Sequence, residues 1–317
     1  MRADLKDALA FPAGDYGNPD PEWLRIDWRE HLHRVDLPGA EGVNYAEIGE
    51  GEPILFVHGL AGCWRNWLEN LPHFGRTHRA IAIDLPGFGD SPKPSWDISM
   101  AAYGRMLHDF LEKLGIDHVA ALVGNSMGGF VSTESVIEEP DRFDRLVLVS
   151  AAGISFAEAK NRRTRALARG IEAVAPHLLH GDRKVFLSRP GGRQLAFGGV
   201  MRAPAKLRPE LLKEQTQPAL SAPGFADAMI SIVGYDTRER LPEIEIPTLV
   251  VWGLNDKVVP VEAALGYQRL IPHSRLEIFE RTGHVPMLER PLRFNPLVEE
   301  FIESSQPLRV TEDTAIS

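Results

Sequence analysis

One cysteine, Cys63, stands alone in a chain of 317 residues. A lone thiol makes no intrachain disulfide and no thiolate metal cluster, so Cys63 reads as a small buried hydrophobe. Positive charge is also scarce. Against 44 Asp and Glu there are 35 Lys and Arg, a formal net charge of −9, whereas a nucleic-acid partner calls for an excess of cations on one face. No apolar run reaches the roughly 18 residues of a membrane-spanning helix. The first two dozen residues carry Asp4 and Asp7 and no long apolar stretch, so they do not read as a secretory signal. These absences point to a cytoplasmic protein with no nucleic-acid partner and no transmembrane segment.

What is present is a chain able to build a large core, 44% apolar and 25% charged. Short apolar runs recur: PILFVHG (53–59), RAIAIDLPG (79–87), HVAALVGN (118–125), RLVLVSAAG (145–153) and PTLVVWG (247–253). They are continuous rather than alternating, and each closes on Gly, Pro or Asn, which suits strands covered on both faces. Residues 101–114 place Leu107, Phe110, Leu111 and Leu114 at helical spacing, with Gly115 as the stop. This alternation predicts a mostly parallel sheet with helices on both faces. HLHRVDL (31–37) and VNYAEIG (43–49), joined through Pro and Gly, predict an antiparallel hairpin at the sheet edge. Residues 1–27 read as an irregular extension, and the last dozen as a frayed tail.

Strand signals vanish between residues 154 and 236. NRRTRALARGIEAV and PAKLRPELLKEQT look helical, broken by Pro190, Gly191, Gly192, Pro204, Pro218 and Pro223. A stretch of roughly 80 residues is too long for an ordinary loop, so 154–236 is expected to be a helical cap inserted in a core made of 1–153 and 237–317. Its Arg162, Arg163, Arg165 and Arg169 are most simply a solvated helix face; steering of a substrate or contact with an anionic membrane is the alternative.

Ser126 ends the run HVAALVGN and opens a helix, crowded by Gly124, Gly128 and Gly129. A serine at so sharp a bend can project its hydroxyl clear of a sheet, and bulky neighbours would clash there. Alone, G-x-S-x-G is a common chance match. A serine hydroxyl also needs a base. Of eleven histidines, His284 stands in RTGHVP after the apolar run RLEIF; the others read as surface or satisfied core residues. His177 and His180 share a helix spacing but lack a third ligand, so no metal is expected. A base needs an acid behind it. Asp256 stands at the end of TLVVW, where a carboxylate is often only a turn residue. The order Ser126, Asp256, His284 nevertheless belongs to one known serine-triad arrangement. LFVHGLAG (55–62) lets the amide of Leu60 face the site, with that of Met127 as second donor to an oxyanion. His58 reads as structural.

Taken together, HGLAG (58–62), DLPGFGDS (84–91), GNSMGG (124–129), GLNDKVVP (253–260) and GHVPMLERP (283–291) resemble the α/β-hydrolase fold superfamily, cap-containing and esterase- or lipase-like, from about residue 30 to 304. The resemblance implies an eight-stranded sheet, a cap after the sixth strand, Ser126 as nucleophile, Asp256 as acid and His284 as base. Asp84 is similar to a residue that supports loops near the site.

Dehalogenases and epoxide hydrolases of this fold use an aspartate where Ser126 stands. Carbon–carbon bond hydrolases of ring-fission products share GNSMGG but resemble a Gly-Pro-Gly stretch after HG and a Trp after the histidine, where this chain has LAGCW and Val285. A perhydrolase-like side activity fits the same three residues. The expectation is therefore a serine carboxylic-ester hydrolase without cofactor, acting on a small ester with an apolar acyl group. Carbon–carbon hydrolysis is the alternative, and a small-molecule receptor using the same pocket is an alternative of another class. Trp64, Trp67, Phe186 and Phe197 are candidate pocket residues, with Phe156, Leu187 and Met201 adding to an apolar roof.

Overall fold

The computed structural model describes residues 14–154, 183–216, 222–233 and 235–304. Phe156, Arg162, Arg163, Arg165, Arg169, His177 and His180 lie outside them. Eight strands form one sheet: β1 (Leu32–Leu37), β2 (Ala40–Ile48), β3 (Pro53–Val57), β4 (Arg79–Ile83), β5 (Ala121–Asn125), β6 (Leu146–Val149), β7 (Thr248–Gly253) and β8 (Ser274–Phe279). Their order is β1-β2-β4-β3-β5-β6-β7-β8. The hairpin pairs antiparallel, β2 lies antiparallel on β4, and every other pairing is parallel. The turn of the hairpin is tighter than expected: β2 begins at Ala40, directly after Pro38 and Gly39. Gly39, at φ +69, takes a backbone conformation closed to most residues.

The continuous apolar runs have the expected cause. In β3, Ile54 and Phe56 join one buried cluster while Leu55 and Val57 join the other, on the opposite face. The same alternation divides Leu122 from Val123 and Val250 from Val251. Helix α1 (Met100–Lys113) covers one face and packs against α2 (Met127–Glu138). Ser99 caps α1 by accepting from the Ala102 amide at 3.1 Å, and Gly115 closes it at φ +66.

The position of the site follows from strand order. The chain runs from β3 outward to β4, then crosses back to lay β5 on the other side of β3. At such a reversal the loops leaving the carboxyl ends of adjacent strands diverge and open a crevice. Val57, the last residue of β3, is in register with Gly124. HGLAG and Ser126 are thereby brought side by side.

Between β6 and β7 the described residues contain no strand. They form α3 (Arg183–Ser188), α4 (Pro190–Phe197), α5 (Pro209–Thr216) and α6 (Phe225–Ile232). The helical run breaks at Arg189, as expected, and Pro190, Gly191 and Gly192 then open α4, with Pro190 in the first position, where its missing amide costs nothing. One expectation needs correction. PAKLRPELLKEQT is not one helix: a single turn at Pro204–Lys206 stops, and α5 restarts at Pro209, because the residue before a proline resists the helical conformation. Beyond β7 come α7 (Glu262–Leu270), α8 (Pro286–Glu289) and α9 (Pro291–Glu303). No helix among the described residues is long and apolar enough to cross a membrane.

Candidate active site

Ser126 sits at φ +55 and ψ −115, a backbone conformation that non-glycine residues seldom adopt. Its surroundings hold it there. Its amide donates to Val149 O at 2.9 Å, and its carbonyl accepts from Ala152 N at 3.0 Å. The glycines are obligatory through close approach. A Cβ on Gly124 would lie 2.4 Å from Gly128 O, and one on Gly128 would lie 2.2 Å from Val57 O. The backbone of α2 thus rests directly on the end of β3, which leaves Ser126 half-buried at the head of the helix.

His284 Nδ1 lies 2.7 Å from Asp256 Oδ2. The His284 ring is almost wholly buried, and the Asp256 carboxylate is completely so. The other oxygen of that carboxylate accepts from the amides of Val258 at 2.8 Å and Val259 at 3.0 Å. All of these are donors to the carboxylate, so Nδ1 carries a ring proton, and in the neutral ring that tautomer leaves the lone pair on Nε2. The backbone of His284 is pinned on both sides: its amide donates to Val200 O at 2.7 Å, and its carbonyl accepts from Asn125 Nδ2 at 3.3 Å. Two other carboxylates, Asp84 and Glu280, are engaged elsewhere or exposed. Asp84 accepts from Trp64 N, Asn44 Nδ2 and Asp90 N, and Glu280 faces solvent. Burial pushes the Asp84 carboxyl up to about 6, against the pull of those three donors.

Among the described residues, the amides of Leu60 and Met127 donate to no backbone carbonyl. His58 shapes the loop that carries Leu60. Leu85 N donates to His58 Nε2 at 3.0 Å, so the proton resides on Nδ1, which donates to Gly59 O at 2.7 Å. Burial lowers the His58 pKa to about 4, and the ring stays neutral, as that pattern requires.

Ser126, His284 and Leu60 border one cavity of about 310 Å³. Its wall is mostly apolar: Phe197, Val200 and Met201 from the inserted segment, Met229 and Ile232 from α6, and Val258 beside Asp256. Phe197 and Met201 thus border the cavity. Phe186, Trp64 and Trp67 do not. Phe186 is 42% exposed and does not border the cavity. Trp64 and Trp67 lie three apart on a 3₁₀ turn, so they share one face. That face meets the core, where the tilted rings of Trp64 and Trp28, and of Trp67 and Phe56, pack at 5.0 Å between centroids. Leu187 is buried but borders the cavity no more than they do.

Several residues of the site carry no signal in the sequence pattern. Asn66 lies on the opposite side of the tryptophan turn and borders the cavity with Gln215 of α5. Asn66 Nδ2 donates to Gln215 Oε1 at 2.5 Å, and Gln215 Nε2 donates to Arg65 O at 2.8 Å. Asn125 and Glu289 stood inside quoted motifs, yet nothing in their spacing told what they hold. Cys63 is buried, and burial drives its thiol pKa well up, so it is no nucleophile. Among the described residues no three His, Cys, Asp or Glu side chains converge as a metal site would require.

Comparison with known proteins places this geometry. A family model described as alpha/beta hydrolase fold matches residues 52–291. An uncharacterized protein of Mycobacterium tuberculosis is 33% identical over 272 residues, covering 82% of this chain and 77% of that protein. The 2-hydroxy-6-oxo-2,4-heptadienoate hydrolase of Pseudomonas putida is 31% identical over 287 residues, covering 86% of this chain and 96% of that one. Among solved structures, a thermophilic esterase from Thermogutta terrifontis superposes with a TM-score of 0.72 at 25% identity, covering 86% and 97% of the two chains.

Proposed function

The chain belongs to the α/β-hydrolase fold family, and from that premise we propose that it is a serine hydrolase of carboxylic esters that works through an acyl-enzyme. The observation that carries the reading is the buried Asp256–His284 bond of 2.7 Å beside a serine held at φ +55 on the floor of an apolar cavity. Ser126 Oγ attacks the ester carbonyl while His284 Nε2 takes its proton. Asp256 keeps the ring in the Nδ1–H tautomer and stabilises the imidazolium. The amides of Leu60 and Met127 receive the oxyanion, each contributing about 3 kcal/mol in the transition state. His284 returns the proton to the leaving alcohol. Water then repeats the cycle on the acyl-enzyme, releasing the acid and restoring Ser126. Residues 154–236 act as the cap, and their cavity-facing side chains select the acyl group.

A second reading, carbon–carbon bond hydrolysis, is favoured by the 31% identity to a dienoate hydrolase. A dienoate carries a carboxylate, however, and the described cavity wall has no Lys or Arg to receive one. A neutral ester with an apolar acyl chain fits that wall better, with its polar end toward Asn66 and Gln215. The test is turnover of p-nitrophenyl esters beside a ring-fission dienoate, with fluorophosphonate labelling located by mass spectrometry. Ester turnover with label on Ser126 supports the proposal. Efficient turnover of the dienoate with negligible ester cleavage would replace it with the second reading, and stoichiometric ester binding without turnover would point to a receptor.

A further inference from the structure

Glu289 is a completely buried carboxylate with no role in the chemistry above. Its Oε1 accepts from Gly283 N at 2.9 Å, one residue before His284. Its Oε2 accepts from Arg202 N at 2.7 Å and from the Tyr16 hydroxyl at 2.6 Å. The Tyr16 oxygen accepts in turn from Ala203 N at 2.7 Å. A further bond ties the backbone itself: Gly17 N donates to Glu289 O at 2.8 Å. Three stretches remote in sequence meet on this one side chain, namely the N-terminal residues 16 and 17, the roof at 202 and 203, and the loop that carries His284. The same stretch of the roof accepts the His284 amide through Val200 O.

We infer that Glu289 is a positioning residue for His284: its ionised carboxylate locks the histidine loop to the roof and to the N-terminal stretch, and a proton on it loosens that lock. This rests on the assignment of His284 as the base. The argument is one of hydrogen-bond polarity. Every group directed at the two oxygens is a donor, which suits an anion. A proton on Oε2 has only the Tyr16 oxygen to receive it, so the Tyr16 hydroxyl must turn its own hydrogen away and its bond to the carboxylate is reversed. The charged and titratable neighbours are Tyr16 and Asp15 from the N-terminal stretch, Arg202 from the roof, His284 in the loop and Arg290 next in sequence. Arg290 lies 4.8 Å over the Tyr16 ring and pairs with Asp15. Burial pushes the Glu289 carboxyl up to about 7, opposed by the bonds from Tyr16 and from the amides of Arg202, Gly283 and Val285. The proton is therefore taken up close to neutrality.

The experiment has a structural arm and a kinetic arm. In the full chain labelled with ¹⁵N-glycine and ¹⁵N-arginine, the amide signals of Gly283 and Arg202 are followed from pH 5 to 9. One midpoint shared by both amides and absent in Glu289→Gln is expected; separate midpoints, or none, overturn the inference. In the kinetic arm the acid limb of kcat for an ester falls more steeply than one proton allows. Glu289→Gln lowers kcat by about tenfold to a hundredfold, the cost of a misplaced catalytic group, leaves KM within about threefold, and reduces the limb to a single proton. Tyr16→Phe removes a donor that holds the Glu289 pKa down, so its acid limb moves to higher pH. An unchanged limb in Tyr16→Phe overturns the inference even if Glu289→Gln does not fold. Loss of the ester reading itself, through turnover that survives Ser126→Ala, leaves the amide titration to decide the role of Glu289.

Discussion

The floor and the roof of the cavity are built by different physics. The floor hangs on parallel strand ladders and backbone contacts so close that only glycine fits, as where Gly128 lies against Val57. The roof hangs on side chains that reach backbone. Buried Arg193 donates from Nη1 to Leu187 O at 3.0 Å and Ser188 O at 2.9 Å, and from Nη2 to Ala205 O at 2.7 Å. Gln215 with Arg65 O, and Glu289 with Arg202 N, extend the same style of attachment to the floor. A floor of backbone leaves the residues it carries little room to shift. A roof hung on a few side chains can be re-hung by a few substitutions without disturbing them. The division suits a site whose chemistry is constant and whose substrate choice is not.

The contrast can be broken on the floor first. Ser126→Ala should reduce kcat by roughly 10⁴ to 10⁶ with the fold intact, read from steady-state ester hydrolysis and circular dichroism. Asp256→Asn should cost about 10⁴ through the wrong His284 tautomer; rates like wild type would move the acid elsewhere. Gly128→Ala places a methyl against two carbonyls and should lower stability by about 3 kcal/mol or more, as overpacking does; an unaltered denaturation midpoint would contradict the close approach. On the roof, Arg193→Met leaves buried carbonyls without a donor. It should reduce kcat/KM for an octanoyl ester about tenfold and for an acetyl ester less than threefold, a split that a floor defect would not give. The smallest effect is graded. Each added acyl methylene should raise kcat/KM about fourfold, or ~0.8 kcal/mol, until the cavity is full. Substitutions at Phe197 or Met229 should move the optimum, and a flat profile would count against an acyl pocket.

The same division explains what the sequence disclosed. The strands, the bend at Ser126, and the loops of Asp256 and His284 are local events: an apolar run, then Gly, Pro or Asn. Trp64 and Trp67 misled because their place beside an active-site loop says nothing about which face of a 3₁₀ turn looks inward. Phe186 misled because an aromatic in an inserted helix can as well face water. Glu289 stood in a quoted motif that did not tell what it holds, and Arg193 left no trace at all. A buried charge normally calls for an opposite charge, yet the direct partners here are a phenol, backbone amides and backbone carbonyls, groups present in almost every stretch of any chain. Which of them converge is decided by tertiary structure alone.

The bond between Tyr16 and Glu289 joins residues 273 positions apart, and this orders events at the ribosome. Ser126 and the strands around it emerge early. The nascent chain can assemble β3, β4 and β5 while the loop bearing His284 is still unmade. Tyr16 is made well before Glu289, and the bond between them must wait for the later residue. The activity proposed above therefore waits on residues 284 and 289, and a chain stopped before them carries Ser126 without His284.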